Sequence, residues 1–166
     1  MTGKAQVQDI TDEGFQAQQF GSSATFLTPN TGYIAVLLNR ASAWAAQRVT
    51  DTNYAAATAG TYANDCLVRA EIAYVAETLW TRRAAFIDAS ANISMGDNER
   101  AQQIKQFLAN SQSAYEDANY WIAEAQRAFG MDPTADMGGT GISTGYIENG
   151  HFPQTSPAPL NLGQSP

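Results

Sequence analysis

The chain has 166 residues, a formal charge of −7, an isoelectric point near 4.5 and a hydrophobic fraction of 44%. Length and apolar content suit one domain with its own core and exclude wholesale disorder, while the acidic balance repels a phosphate backbone and sets broad DNA or RNA binding aside. The single cysteine, Cys66, cannot close an internal disulfide, which suits a reducing compartment.

Residues Met1 to Gln8 lack the charged start and apolar run of a signal peptide. No apolar stretch approaches the roughly 18 residues of a membrane helix, so the expectation is a protein made in the cytoplasm, with no membrane partner. Residues 1–29 read as a polar N-terminal segment. Within it, Thr11-Asp12-Glu13 predicts the start of a short helix to Phe20, with a hydroxyl cap and acids in the first turn; Gly14 weakens it. Gly21 to Pro29 reads as a loop whose Phe26-Leu27 pair packs on the main body.

The first long helix is predicted from Gly32 to Val49, capped by Asn30 or Thr31. Ile34, Leu37, Leu38, Ala41, Trp44 and Ala45 recur at three- and four-residue steps and share one face. Residues 50–61 form a polar connection, with a turn of helix at Tyr54 to Ala57. A second helix follows from Tyr62 to Ala91. Val68, Ile72, Val75, Leu79 and Phe86 form its main stripe, and Leu67, Tyr74, Trp80 and Ile87 widen the apolar area to a second side. A helix of that length with two apolar sides belongs in the middle of a bundle. Gly96 stops it.

The third helix is predicted from Asn98 to Phe129, capped by Asp97. Ile104, Leu108, Ser111, Tyr115, Ala118, Ile122, Ala125 and Phe129 alternate steps of four and three, flanked by Phe107 and Trp121. Gly130 closes it. The short connection at Ser94 to Asn98 makes the second and third helices an antiparallel hairpin.

After Gly130 the composition changes. Five of the six prolines and seven of the thirteen glycines lie in 130–166, and no lysine or arginine follows Arg127. Long helices are excluded there. Ile142, Tyr146, Ile147, Phe152, Leu160 and Leu162 are apolar anchors at wide spacing, suited to docking on a partner; the plainer alternative is a tail lying along its own bundle. The fold expected is all-α: a small helical bundle at 30–130 with a long central helical hairpin, and an extended Gly/Pro-rich C-terminal arm at 131–166.

Chemistry-bearing patterns are sparse. Cys66 sits beside Leu67 and Val68 and reads as a small buried apolar residue, since the only histidine, His151, lies in the arm. One Cys and one His do not supply the usual metal ligands, and no pair of Glu-x-x-His motifs marks a di-iron bundle. Neither a catalytic set, nor a metal site, nor a cofactor is expected. Gly138 to Gly145 lacks the lysine, preceding strand and following helix of a phosphate loop and reads as a series of turns. Along the second helix, Asp65 and Arg69 are spaced to pair across one turn. Glu71 and Glu77 are six apart, roughly 120° off a common face. Solvated surface or inter-subunit contact is the expectation for Glu71, Glu77 and Asp88. In Trp80-Thr81-Arg82-Arg83, the two arginines either meet carboxylates of a neighbouring copy or lay their stems on apolar surface and stack on aromatics.

The run from Arg69-Ala70-Glu71-Ile72-Ala73-Tyr74-Val75 to Leu79-Trp80-Thr81-Arg82-Arg83-Ala84-Ala85-Phe86 resembles the central helix of the head–tail connector (adaptor) proteins of tailed bacteriophages. The helix containing Leu37-Leu38-Asn39-Arg40-Ala41-Ser42 is similar to the opening helix of that family. The resemblance covers about residues 30–130 and is one of helix lengths and residue types; residues 1–29 have no counterpart in it. It implies a structural virion protein in the neck between head and tail, forming a homo-oligomeric ring, typically of twelve copies, beneath the portal protein. Such a ring extends the DNA channel, meets DNA only as a passing, non-specific occupant, and carries a downstream neck or tail protein. The arm after Gly130 would hold the portal through its six anchors. Glu71, Glu77, Arg82, Arg83 and Asp88 would meet neighbouring subunits. The competing classes are a soluble helical binding or regulatory module with a partner-docking arm, and an enzyme built on a helical bundle.

Overall fold

The apolar periodicity resolves into helices in the computed structural model, which describes residues 3–20, 28, 31–89 and 96–134, without the side chains of Gln18, Asp88, Ala89 and Asp97. Among the described residues there are five α-helices and no strand: α1 (Val7–Asp12), α2 (Tyr33–Val49), α3 (Asp51–Ala56), α4 (Tyr62–Ala89) and α5 (Asp97–Ala128), with a 3₁₀ turn at Ala17–Phe20. The fold is an all-α small bundle. At 1.5 Å per residue, α4 and α5 are each on the order of 45 Å long, and they pack along one another as the hairpin that organises everything else.

The α4–α5 seam is built from small side chains. Ser111, Ala114, Ala118, Ile122 and Ala125 of α5 are buried, facing a line on α4 that includes Ala70 and Ala84. Small residues let the two backbones approach closely, and a hydroxyl pair fastens the seam. Thr81 Oγ1 and Ser111 Oγ lie 2.8 Å apart, and Ser111 Oγ also donates to the Glu77 carbonyl at 3.1 Å.

Two apolar clusters sit on this hairpin. One joins Ile10, Phe15 and Phe20 to Ile34, Leu37, Leu38 and Ala41 of α2 and to Val75 and Leu79 of α4. The other joins Val49, Tyr54 and Ala57 to Cys66, Leu67 and Ala70 and to Ile122 and Ala125. The helix α4 contributes to both, which is why its apolar surface wraps two sides.

Several boundaries differ from expectation. The first helix starts at Val7 and not at Thr11, because the Asp9 carboxylate accepts from the Gln6 N–H at 2.7 Å and closes the helix start there. Thr11 falls in the last turn and donates its hydroxyl back to the Gln8 carbonyl. Gly14, at φ +87°, ends the helix where a left-handed residue is needed. The N-terminal segment is no appendage. Ala5, Ile10, Phe15, Ala17 and Phe20 are all buried, so the core begins well before residue 30. Gly32 caps α2 in place of Asn30 or Thr31, and Gly96 caps α5 in place of Asp97. The bundle also extends past Gly130. Met131 packs on the second cluster, and its sulfur accepts from Asn53 Nδ2 at 3.4 Å.

The α5 stripe divides. Ser111, Ala118, Ile122 and Ala125 face inward, whereas Leu108 and Tyr115 are 49% and 47% exposed. Both lie roughly 40–60° round the helix from Ser111 at 100° per residue. Periodicity marks an apolar band wider than the surface α4 and α2 cover. Phe86, assigned to the main α4 stripe, is likewise 47% exposed, near the end of its helix.

Leu79 is fully buried between α2 and the N-terminal segment. Replacing it with Ala is expected to destabilise the fold by about 2–5 kcal/mol, read as a lower urea midpoint with an unchanged slope.

Candidate functional site

An open cleft of about 660 Å³ runs along the hairpin between α4, α5 and the loop after α1. Alanines floor it: Ala73 and Ala76 from α4 and Ala114 from α5. Their small side chains open the groove, and the same residue type sets the close helix approach nearby. A tryptophan stands at each end, with Trp80 and Arg69 eleven residues apart on α4, roughly 16 Å along its axis.

Each tryptophan carries a cation. The Arg69 guanidinium lies 4.6 Å from the centre of the Trp121 ring. Arg83 lies 4.6 Å from Phe107 and 5.7 Å from Trp80, and those two rings stack on each other at 5.5 Å. Phe15 meets the other side of Trp80 edge-on at 5.0 Å. The cleft is thus walled by aromatic faces fixed through contacts across three chain segments, with Glu13 and Asp117 adding carboxylates at its edge. Such a surface suits recognition of an elongated partner with apolar and basic groups.

The local sequence signals for these positions were partly legible. The Trp80-Thr81-Arg82-Arg83 cluster uses its arginines on the chain's own rings: Arg83 as described, and Arg82 at 4.0 Å from Tyr33, tying α4 to the start of α2. Arg69 takes Trp121 and not the Asp65 partner that spacing predicted. Glu77 is half-buried, and burial pushes its carboxyl upward. The side chain of Asp88 and the six arm anchors, Ile142, Tyr146, Ile147, Phe152, Leu160 and Leu162, lie outside the described residues, as do His151 and the Gly138–Gly145 run. Cys66 is fully buried, and burial raises its thiol, in keeping with an apolar packing role. Among the described residues no group of three His, Cys, Asp or Glu side chains is placed to hold a metal ion, and no helix is long and apolar enough to cross a membrane.

Glu71 corrects the expectation of a solvated or inter-subunit carboxylate. It is fully buried. Its Oε2 accepts from the backbone N–H groups of Lys4 at 2.9 Å and Ala5 at 2.8 Å, and its Oε1 accepts from the Tyr54 hydroxyl. The Tyr54 oxygen in turn accepts from the Lys4 N–H at 3.1 Å, and Lys4 Nζ donates to the Ala57 carbonyl at 2.6 Å. One carboxylate therefore ties the N-terminal segment and α3 to α4. The sequence carried a sign of this: Glu71 stands four residues from both Leu67 and Val75, in line with the buried side of α4. Burial raises the Glu71 carboxyl against the opposing pull of its three donors, and burial next to Glu71 raises the Tyr54 hydroxyl.

Glu71→Ala leaves the Ala5 N–H and the Tyr54 hydroxyl without their acceptor, takes one of two acceptors from the Lys4 N–H, and is expected to cost about 3 kcal/mol or more. The raised carboxyl also fixes a pH dependence. Its contribution is complete below the ordinary glutamate value of about 4.3 and falls as pH rises through the folded-state value. The stability of the parent relative to Glu71→Gln should therefore decline between acid and neutral pH in urea unfolding. A flat or rising difference would show that the carboxylate is favoured in the folded state.

No protein-family model, curated protein or solved structure matches the chain.

Proposed function

We propose that this chain is a structural assembly subunit, a head–tail adaptor that forms a ring under a phage portal protein, extends the DNA channel and offers a platform for neck or tail proteins. The observation that carries the assembly part is the uncovered apolar stripe on α5. Leu108 and Tyr115, seven residues apart on one face, leave about half their surface in water. Large apolar side chains aligned on the outside of a bundle mark a contact surface. The portal, ring and virion assignments rest on the resemblance of α2 and α4 to the adaptor family. In this reading the anchors of the C-terminal arm hold the portal, and Arg82, exposed at the end of the α2–α4 contact, borders the neighbouring subunit. The formal charge of −7 fits a channel wall that does not retain passing DNA.

The cleft beside Trp80 and Trp121 favours a second reading, a soluble binding module that receives a partner segment. The two separate by stoichiometry: a ring on a portal, or a monomer with a single bound partner.

Mixing the purified chain with a phage portal protein and imaging by electron microscopy tests the first reading. A symmetric ring on the portal supports it; a monomer that ignores the portal rejects it and favours the binding module. Leu108→Glu is expected to abolish the ring while leaving the melting temperature within a few degrees, since exposed positions tolerate exchange. Removing residues 135–166, which spares the packed Met131, should leave the bundle folded and impair portal binding. Unimpaired binding would take the arm out of the mechanism.

A further inference from the structure

On the other side of the hairpin from the cleft, α2, α4 and α5 enclose a niche of about 100 Å³, lined in part by Trp44, Arg48, Tyr74, Glu77 and Tyr115. We propose that this niche binds a basic side chain, a lysine ammonium or arginine guanidinium presented by another polypeptide.

The chemistry of the walls supports it. Trp44 and Tyr74 stack at 4.9 Å, and Tyr115 adds a third ring. Aromatic faces attract a cation through their quadrupole, most strongly where water is thinned out. Glu77 supplies a carboxylate to the same space, and it is half-buried. Its backbone carbonyl is engaged by Ser111, but no hydrogen bond or ion pair among the described residues reaches its carboxylate. Burial without a partner pushes that carboxyl upward, which marks a group whose charge lacks compensation.

The rest of the molecule shows what completes such a site. Lys4 lies over Tyr54, Arg69 over Trp121, Arg82 over Tyr33, and Arg83 over Phe107. In each case the chain supplies its own cation. The Trp44–Tyr74–Tyr115 set has rings and a carboxylate but no cation over it among the described residues. Arg48 lines the niche without pairing with Glu77 or lying over a ring. A niche of about 100 Å³ is on the scale of an ammonium head with its first methylenes. A chain of net charge −7 also attracts basic partners. This inference shares Tyr115 with the α5 stripe invoked for assembly; its test needs no portal, and Glu77→Gln leaves that stripe intact.

The test titrates n-butylammonium chloride into the full ¹⁵N-labelled chain and follows the Trp44 indole N–H by NMR, with n-butanol as the uncharged control. A saturable shift is expected for the ammonium alone. Affinity should fall roughly tenfold in Glu77→Gln and in Tyr115→Ala, each checked by an unchanged melting curve. An equal response to butanol, no saturable shift, or an unchanged affinity in Glu77→Gln would overturn the proposal. Sedimentation at rising protein concentration identifies the source of the cation. Self-association abolished by Glu77→Gln assigns it to a second copy, and a monomer at all concentrations assigns it to a different protein.

Discussion

A carboxylate removed from water needs hydrogen bonds to replace its hydration, and Glu71 draws them from parts of the chain far apart in sequence. Two backbone N–H groups come from Lys4 and Ala5, and a hydroxyl comes from Tyr54 on α3. The Lys4 N–H is shared between Glu71 Oε2 and the Tyr54 oxygen, so the donors and the carboxylate form one connected network. The N-terminal segment is thereby held where Ile10, Phe15 and Phe20 complete the first apolar cluster. The same contact holds α3 where Tyr54 and Ala57 complete the second. A buried polar network of this kind specifies an arrangement more than it adds stability, because apolar side chains alone would tolerate several packings.

The hairpin follows a different logic. Its seam is mostly alanine and serine, which contribute little apolar area but allow close backbone approach. The larger side chains are displaced to the edges, where aromatic rings gather in sets and basic side chains lie across them. These cation–ring contacts span elements: Lys4 reaches α3, Arg69 reaches α5, and Arg82 reaches α2. They knit the helices at the rim of the bundle while keeping the charged heads wet.

That construction leaves two concave surfaces on opposite sides of the hairpin. The broad cleft between Trp80 and Trp121 is already furnished with its own arginines. The small niche at Trp44, Tyr74 and Tyr115 is lined by Arg48, which among the described residues neither pairs with Glu77 nor lies over a ring. Leu108 and Tyr115, the latter also a wall of the niche, add exposed apolar area on α5.

The sequence by itself determined the all-α class, the extents of α2, α4 and α5 to within a few residues, the antiparallel hairpin and the burial of Cys66. These follow from local periodicity and from the glycines that stop helices, both of which act over neighbouring residues. Gly130, at φ +71°, ends α5 where its position in the sequence says it should. Only the tertiary structure decided that the first twenty residues belong to the core, that Glu71 is internal, that Arg69 leaves Asp65 for Trp121, and that Leu108 and Tyr115 stay outside. Those outcomes depend on which surface covers which. A buried carboxylate reads as a surface one until its donors are known, and three of its contacts come from residues 17 to 67 positions away. An apolar stripe shows which side of a helix prefers contact, but whether another helix reaches that far round is settled only by packing.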